Sequence, residues 1–233
     1  MKWDQVGRSN AKPQCRWSVF GDAPRGIAED LMMSQHDNQD TRFLLWVDAV
    51  GGYLVCRDDV VLLGQAVPGN QVAVPILADI SRQHAILERS GDRYLLRPMQ
   101  STRVSGELIH RPTLIRDGDR IELGDGVHLK FRQPHTLSAS ALLEFESHHK
   151  AVPTVDAVIL MAESCLLGPD SGNHIVCRDW NENLVLYRRG RSLACRSPQA
   201  CQINGVTCQE RGDVPLPSNI AGDGFSFSLE SLS

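Results

Sequence analysis

Residues 43–64 read FLLWVDAVGGYLVCRDDVVLLG, in which the apolar runs FLLWV, YLVC and VVLLG are parted by Gly51-Gly52 and Asp58-Asp59. Runs this short, rich in Val, Leu and aromatic residues and closed by turn formers, predict strands joined by hairpins. A Pro68-Gly69-Asn70 loop continues the pattern. Further along, Val127, Leu129 and Phe131 alternate with His128 and Lys130, and Phe225, Phe227 and Leu229 alternate with Ser226 and Ser228. That period of two is what a sheet with one buried face requires. Both ends of the folded region therefore read as β. Helical signal is nearly absent: its best stretch, LSASALLEFESHHK at 137–150, reads better as a strand around Leu142, Leu143 and Phe145.

The chain also repeats itself. A shift of 99 carries Ile76 to Ile175, Leu87 to Leu186, Arg89 to Arg188, Gly91 to Gly190, Arg97 to Arg196, Gln100 to Gln199 and Gly106 to Gly205 without a gap. Outside that stretch, VLLG ending at Gly64 matches CLLG ending at Gly168, and Gly124-Asp125-Gly126 matches Gly222-Asp223-Gly224. Coinciding turn glycines and apolar blocks predict two copies of one β module, each near the usual size of a domain. The division expected is a tail over 1–40, one module over 41–135 and a second over 136–233, with the boundary near Gln133 to Ser138.

Composition narrows the function. With 24 Lys plus Arg against 28 Asp plus Glu, the net charge of −4 favours solubility and gives no footprint for nucleic acid. No run of 18 uncharged apolar residues occurs and the first twenty residues lack a secretory apolar core, so no membrane span and a cytoplasmic location are expected. Cys56, Cys165 and Cys177, among seven cysteines, sit inside apolar runs and read as reduced core residues. The first forty residues show no sustained period, although Trp3, Trp17 and Phe20 are large for a tail and suit docking onto a surface.

In the first copy the order is Gly64 closing a strand, SRQHAILER at 81–89, YLLRP at 94–98, STRVSGELI at 101–109 and LIRDGDRIELG at 114–124. This string resembles the forkhead-associated (FHA) domain family over about Phe43 to Gln133. The resemblance implies an all-β fold, two tandem FHA-like (SMAD/FHA-type) β-sandwich domains, with loops at one end of the first that bind phosphothreonine peptides on partner proteins. The family's phosphate-contacting Ser falls on Ser81, and Arg82 follows at a position that often faces the peptide. Its structural His falls on His84, its peptide-gripping Asn on Gln100 beside Ser101, and its hairpin Asn-Gly on Ser105-Gly106. The family's Gly-Arg pair becomes Gly64-Gln65, which replaces a charged planar fork by a neutral amide. The implied binding set is Ser81, Arg82, Gln65, Gln100 and Ser101, supported by Gly64, His84 and Gly106.

The residue types make sense apart from the name. A phosphothreonine carries about −1.5 to −2 charge and three acceptor oxygens, so its reader needs donors converging on one point. In the second copy the same shift turns Ser81 into Trp180, Arg82 into Asn181 and His84 into Asn183, and Pro169 follows Gly168, so no phosphothreonine pocket is expected there. Trp180 is either an exposed contact residue or a buried one.

No catalytic residue is assigned. No Gly-x-Ser-x-Gly elbow or phosphate-binding loop occurs, and Cys195, Cys201 and Cys208 form no Cys-x-x-Cys pair. Asp117-Gly118-Asp119, flanked by Arg116 and Arg120, reads as a hairpin turn and not a calcium loop. The chain is expected to be a binding protein and not an enzyme, without metal or cofactor, with a phosphorylated or an unmodified protein as partner. The sequence leaves its oligomeric state open.

Overall fold

The computed structural model describes residues 41–135 and 137–232, so the expected tail over 1–40 lies outside the described residues. Among the described residues there is no helix, and none therefore that is long and apolar enough to cross a membrane. The first half runs β1 (Arg42–Val47), β2 (Gly51–Cys56), β3 (Val60–Gln65), β4 (Val74–Ile76), β5 (Ala85–Ser90), β6 (Arg93–Pro98), β7 (Thr102–Val104), β8 (Glu107–Leu108), β9 (Thr113–Ile115), β10 (Arg120–Leu123) and β11 (Val127–Arg132). The second runs β12 (Ala141–Phe145), β13 (Ala157–Leu160), β14 (Ser164–Gly168), β15 (Ile175–Val176), β16 (Leu184–Arg189), β17 (Ser192–Arg196), β18 (Cys201–Ile203), β19 (Val206–Cys208), β20 (Arg211–Val214), β21 (Ser218–Gly222) and β22 (Phe225–Ser231).

Each half contributes one five-stranded sheet, ordered β4-β3-β5-β6-β9 in the first and β15-β14-β16-β17-β20 in the second. Counted from β1 and again from β12, the two orders are the same. The remaining strands form a single twelve-stranded sheet, β19-β18-β21-β22-β1-β2-β13-β12-β11-β10-β7-β8. Here the halves trade strands. β12 lies antiparallel to β11, with Phe131 opposite Leu143, while β1 lies antiparallel to β22, with Trp46 opposite Ser228. The first two strands of each half thus complete the sheet of the other, and β2 joins β13 in parallel, Leu54 opposite Val158.

The exchange explains why these four strands read as continuous apolar runs. Side chains alternate across a strand, so a strand covered on both faces needs apolar residues at every position. Leu44, Leu54, Leu143, Val158 and Leu160 pack in the first core, whereas Phe43, Leu45, Val55, Leu142 and Ile159 pack in the second. By contrast β11, Val127-His128-Leu129-Lys130-Phe131-Arg132, buries every other residue. Cys56, Cys165 and Cys177 are buried free thiols. Burial pushes the Cys56 thiol up to about 12 and Cys177 to about 11, keeping both protonated as small apolar groups.

Candidate functional site

At one end of the first sandwich, the segments after β3, before β5, between β6 and β7, and between β10 and β11 converge on His84. Its own backbone N–H donates to Leu63 C=O at 2.9 Å, and its C=O accepts from the N–H groups of Met99 and Gln100 at 3.0 and 3.1 Å. The ring, 3% exposed, does the rest. Nδ1 accepts from the Ser81 N–H at 3.3 Å, which fixes the proton on Nε2, and Nε2 donates to Ser101 C=O at 2.9 Å. The Gly124 N–H donates to the same carbonyl at 3.0 Å. One imidazole thus sets the spacing between the Ser81, Ser101 and Gly124 loops.

Two further contacts hold the Ser81-Arg82 segment against β3. The Gln65 N–H donates to Ser81 C=O at 3.0 Å, and the Asn70 amide donates to the carbonyls of Gln65 and Arg82 at 2.7 and 2.8 Å. At Gly64, a Cβ would lie 1.8 Å from the Arg82 carbonyl oxygen, so the loop seats only against a residue without a side chain.

These loops enclose an open cleft of about 580 Å³ lined by Ser81, His84, Gln100 and Ser101, together with Asp79, Asp125 and His149. Gln65 and Arg82 do not line it. The Gln65 amide donates instead to Ala78 C=O at 3.2 Å, bracing the loop before Ser81. Arg82 is exposed, and its guanidinium has no hydrogen-bond or ion-pair partner among the described residues. Gly106 lies outside the cleft, in the β7–β8 turn, where Ser105 and Gly106 take φ of 50° and 88°, the left-handed pair that a two-residue hairpin demands.

Asp79, Asp125 and His149 are the cleft residues that the sequence reading passed over. His149 arrives from the second half of the chain. Because β12 pairs with β11, the segment behind it runs past the cleft: Leu77 N–H donates to Lys150 C=O at 2.9 Å, and the His149 ring lies beside Gly126. Burial, with His148 and His128 adding to it, holds the His149 imidazole below its ordinary pKa and favours the neutral ring. Among the described residues, no group of three His, Cys, Asp or Glu side chains is placed to hold a metal ion.

The corresponding end of the second half carries a cleft of different lining, about 470 Å³, bordered by Asp48, Asp179, Trp180, Gly222, Gly224 and Phe225. Trp180, for which the sequence allowed either placement, is 7% exposed and packs on Phe225 and Phe227 with ring centroids 5.2 and 6.3 Å away. The Gln199 amide is occupied by Glu182 Oε1 at 3.0 Å. A separate cavity beside Asn181 and Gln199 measures about 10 Å³, scarcely one water molecule.

Residues 61–124 match the family model of the FHA domain. No curated protein matches the chain. Among solved structures, Mycobacterium tuberculosis EmbR in complex with a low affinity phosphopeptide is similar at 20% identity, over 45% of this chain and 30% of that one, with a TM-score of 0.30. The chain thus spans less than a third of EmbR. The FHA structure of Rv0020c is 18% identical over 51% of this chain and 92% of that one, with a TM-score of 0.24. The N-terminal FHA domain of EssC, a component of the bacterial Type VII secretion apparatus, is 12% identical over 82% of this chain and 95% of that one, with a TM-score of 0.23. The stretch from Val61 to Gly124, which carries Ser81, His84, Gln100 and Ser101, is an FHA domain.

Proposed function

We propose that the cleft beside Ser81 binds a phosphothreonine segment of a partner protein, and that the second half is a degenerate FHA-like copy that supports the first and binds no phosphate. The observation that carries this reading is the meeting of Ser81, Gln100 and Ser101 from two separate loops in one open cleft, with the loops bonded to each other through His84. Two hydroxyls and an amide supply donors for phosphate oxygens. Arg82, exposed next to Ser81, supplies the cation that Gln65 does not, and charge-assisted bonds of that kind are about twice as strong as neutral ones. Gln65 acts by holding the loop. The activity is binding without catalysis, in the cytoplasm, with neither nucleic acid nor membrane as a partner.

A second reading has its own support. Asp79 and Asp125 face the same cleft, and two carboxylates disfavour a doubly charged phosphate, so an unmodified protein segment is the competing ligand. The two readings part in one titration. The full chain, presented with degenerate peptide libraries centred on threonine or phosphothreonine, is expected to retain the phosphorylated pool. Ser81→Ala and Arg82→Ala are each expected to weaken that retention at least about tenfold, the equivalent of roughly 1.4 kcal/mol. Equal retention of both pools establishes the phosphate-independent reading instead.

A further inference from the structure

Three cysteines that neither reading uses meet in the second half. Cys201 on β18 and Cys208 on β19 stand directly opposite each other across the Asn204-Gly205 hairpin. Cys195 on β17, in the facing sheet, packs in the same core as Cys201. The residue opposite Cys195 on β20 is Gly212, and a Cβ built there would stand 2.9 Å from the Cys208 sulfur, so that sulfur points into the same seam. Directly opposed residues of an antiparallel pair have Cα atoms about 4.5–5.5 Å apart, inside the range of about 4.4–6.8 Å that a disulfide spans. The backbone spacing of the pair therefore falls in the range that a disulfide bridges.

Exposure divides the roles. Cys195 and Cys201 are buried and Cys208 is partly exposed. Burial also raises the Cys201 thiol, so that it rests protonated. We propose that Cys208 is a peroxide-reactive thiol and Cys201 its resolving partner, so that oxidation converts the pair into a cross-strand disulfide. In the first step the Cys208 sulfur attacks hydrogen peroxide; an S–O bond forms, the O–O bond breaks, and water leaves a sulfenic acid. In the second, the Cys201 sulfur attacks that sulfur; an S–S bond forms, the S–O bond breaks, and the hydroxyl departs as water with the Cys201 proton. Two thiols are oxidised and one peroxide is reduced to two waters.

The test treats the full chain with graded hydrogen peroxide, quenches with an alkylating reagent in denaturant and reads unreduced peptides by mass. Among Cys56, Cys165, Cys177, Cys195, Cys201 and Cys208, the first change expected is a Cys201–Cys208 linked peptide that has lost two hydrogens. Cys208→Ser should abolish the link, and Cys201→Ser should leave Cys208 as a sulfenic acid trapped by dimedone, both in protein whose circular dichroism is unchanged. Should either variant unfold, the order of oxidation in the unaltered chain decides. Oxidation of any of the other four before Cys208, or a Cys208 that stays alkylatable when they are spent, overturns the proposal.

Discussion

A methyl group on the α-carbon of Gly64 would stand 1.8 Å from the carbonyl oxygen of Arg82 and 3.1 Å from Val72 Cγ1. Backbone cannot yield as a flexible side chain can, so Gly64→Ala must push the Ser81-Arg82 loop off β3. The expected loss of stability is about 1–3 kcal/mol, the usual cost of overpacking, accompanied by weaker retention of phosphothreonine peptide. Gly126→Ala is the matched control at the same end, because a Cβ there first meets His149 Cε1 at 3.6 Å. It should stay within about 0.5 kcal/mol of the parent. Urea unfolding of the two variants checks both, and equal losses would show that the approach at Gly64 is not decisive.

His84→Ala should cost more than the loss of a side-chain volume. It leaves the Ser81 N–H without its acceptor and removes one of the two donors to Ser101 C=O, at a site 3% exposed. Cavity and unsatisfied groups together predict a loss of about 2–4 kcal/mol. His84→Asn, the residue type that Asn183 provides in the other half, can restore one of the two bonds and should fall between. Chemical denaturation of the three proteins gives the order.

Period and turn chemistry made the strands legible. VHLKFR alternates, and β11 buries alternate residues; LSASALLEF, with its weak helical pattern, holds β12. Pairing was not legible, because a run such as FLLWV carries no mark of which neighbour lies at its edge. Reading two copies in sequence invites β1 to pair with β11, whereas β12 takes that place. For the same physical reason the lining of the cleft was legible only in part. Ser81, His84, Gln100 and Ser101 belong to short-range loop signatures, but His149 reaches the cleft only through the exchanged β12, and Gln65 turns away because Ala78 C=O lies within reach of its amide. Asp79 carried no signal of its own.

The exchange has a consequence for fragments. A piece cut at the sequence boundary, 41–135, lacks Leu143, Val158 and Leu160, which are at most 2% exposed in the first core. Losing them forfeits about 1.5–3 kcal/mol each, against a total of about 5–15 kcal/mol for a typical domain. It also strips β11 of one of its two partners, β1 of β22 and β2 of β13, leaving unpaired strand edges. The piece 41–135 should therefore aggregate or show no cooperative transition, 60–160 should keep more native structure despite lacking β1 and β2, and 41–232 should unfold in one step. A cooperative, monomeric 41–135 would show that the exchange is dispensable.

Acid should find a particular weak point at His174. The ring is 4% exposed, and its Nδ1 accepts from the Leu166 N–H at 2.9 Å. Burial away from water, with His135 adding to it, lowers its pKa from 6.5 to about 4. The unfolded chain therefore takes up a proton near pH 6.5, whereas the folded chain takes it up only near pH 4. Between those values the unfolded state binds more protons, so stability falls as the pH drops through this window, by up to about 3 kcal/mol in all, and below it this group causes no further loss. His174→Gln removes the titrating group. Its stability at pH 7 should be lower by about 1–2 kcal/mol for the altered hydrogen bond, but the gap to the parent should close and then reverse as the pH falls from 6.5 to 4. Urea unfolding at stepped pH measures that gap directly; a gap that stays constant across the window would mean that the folded protein protonates His174 as readily as the unfolded chain does.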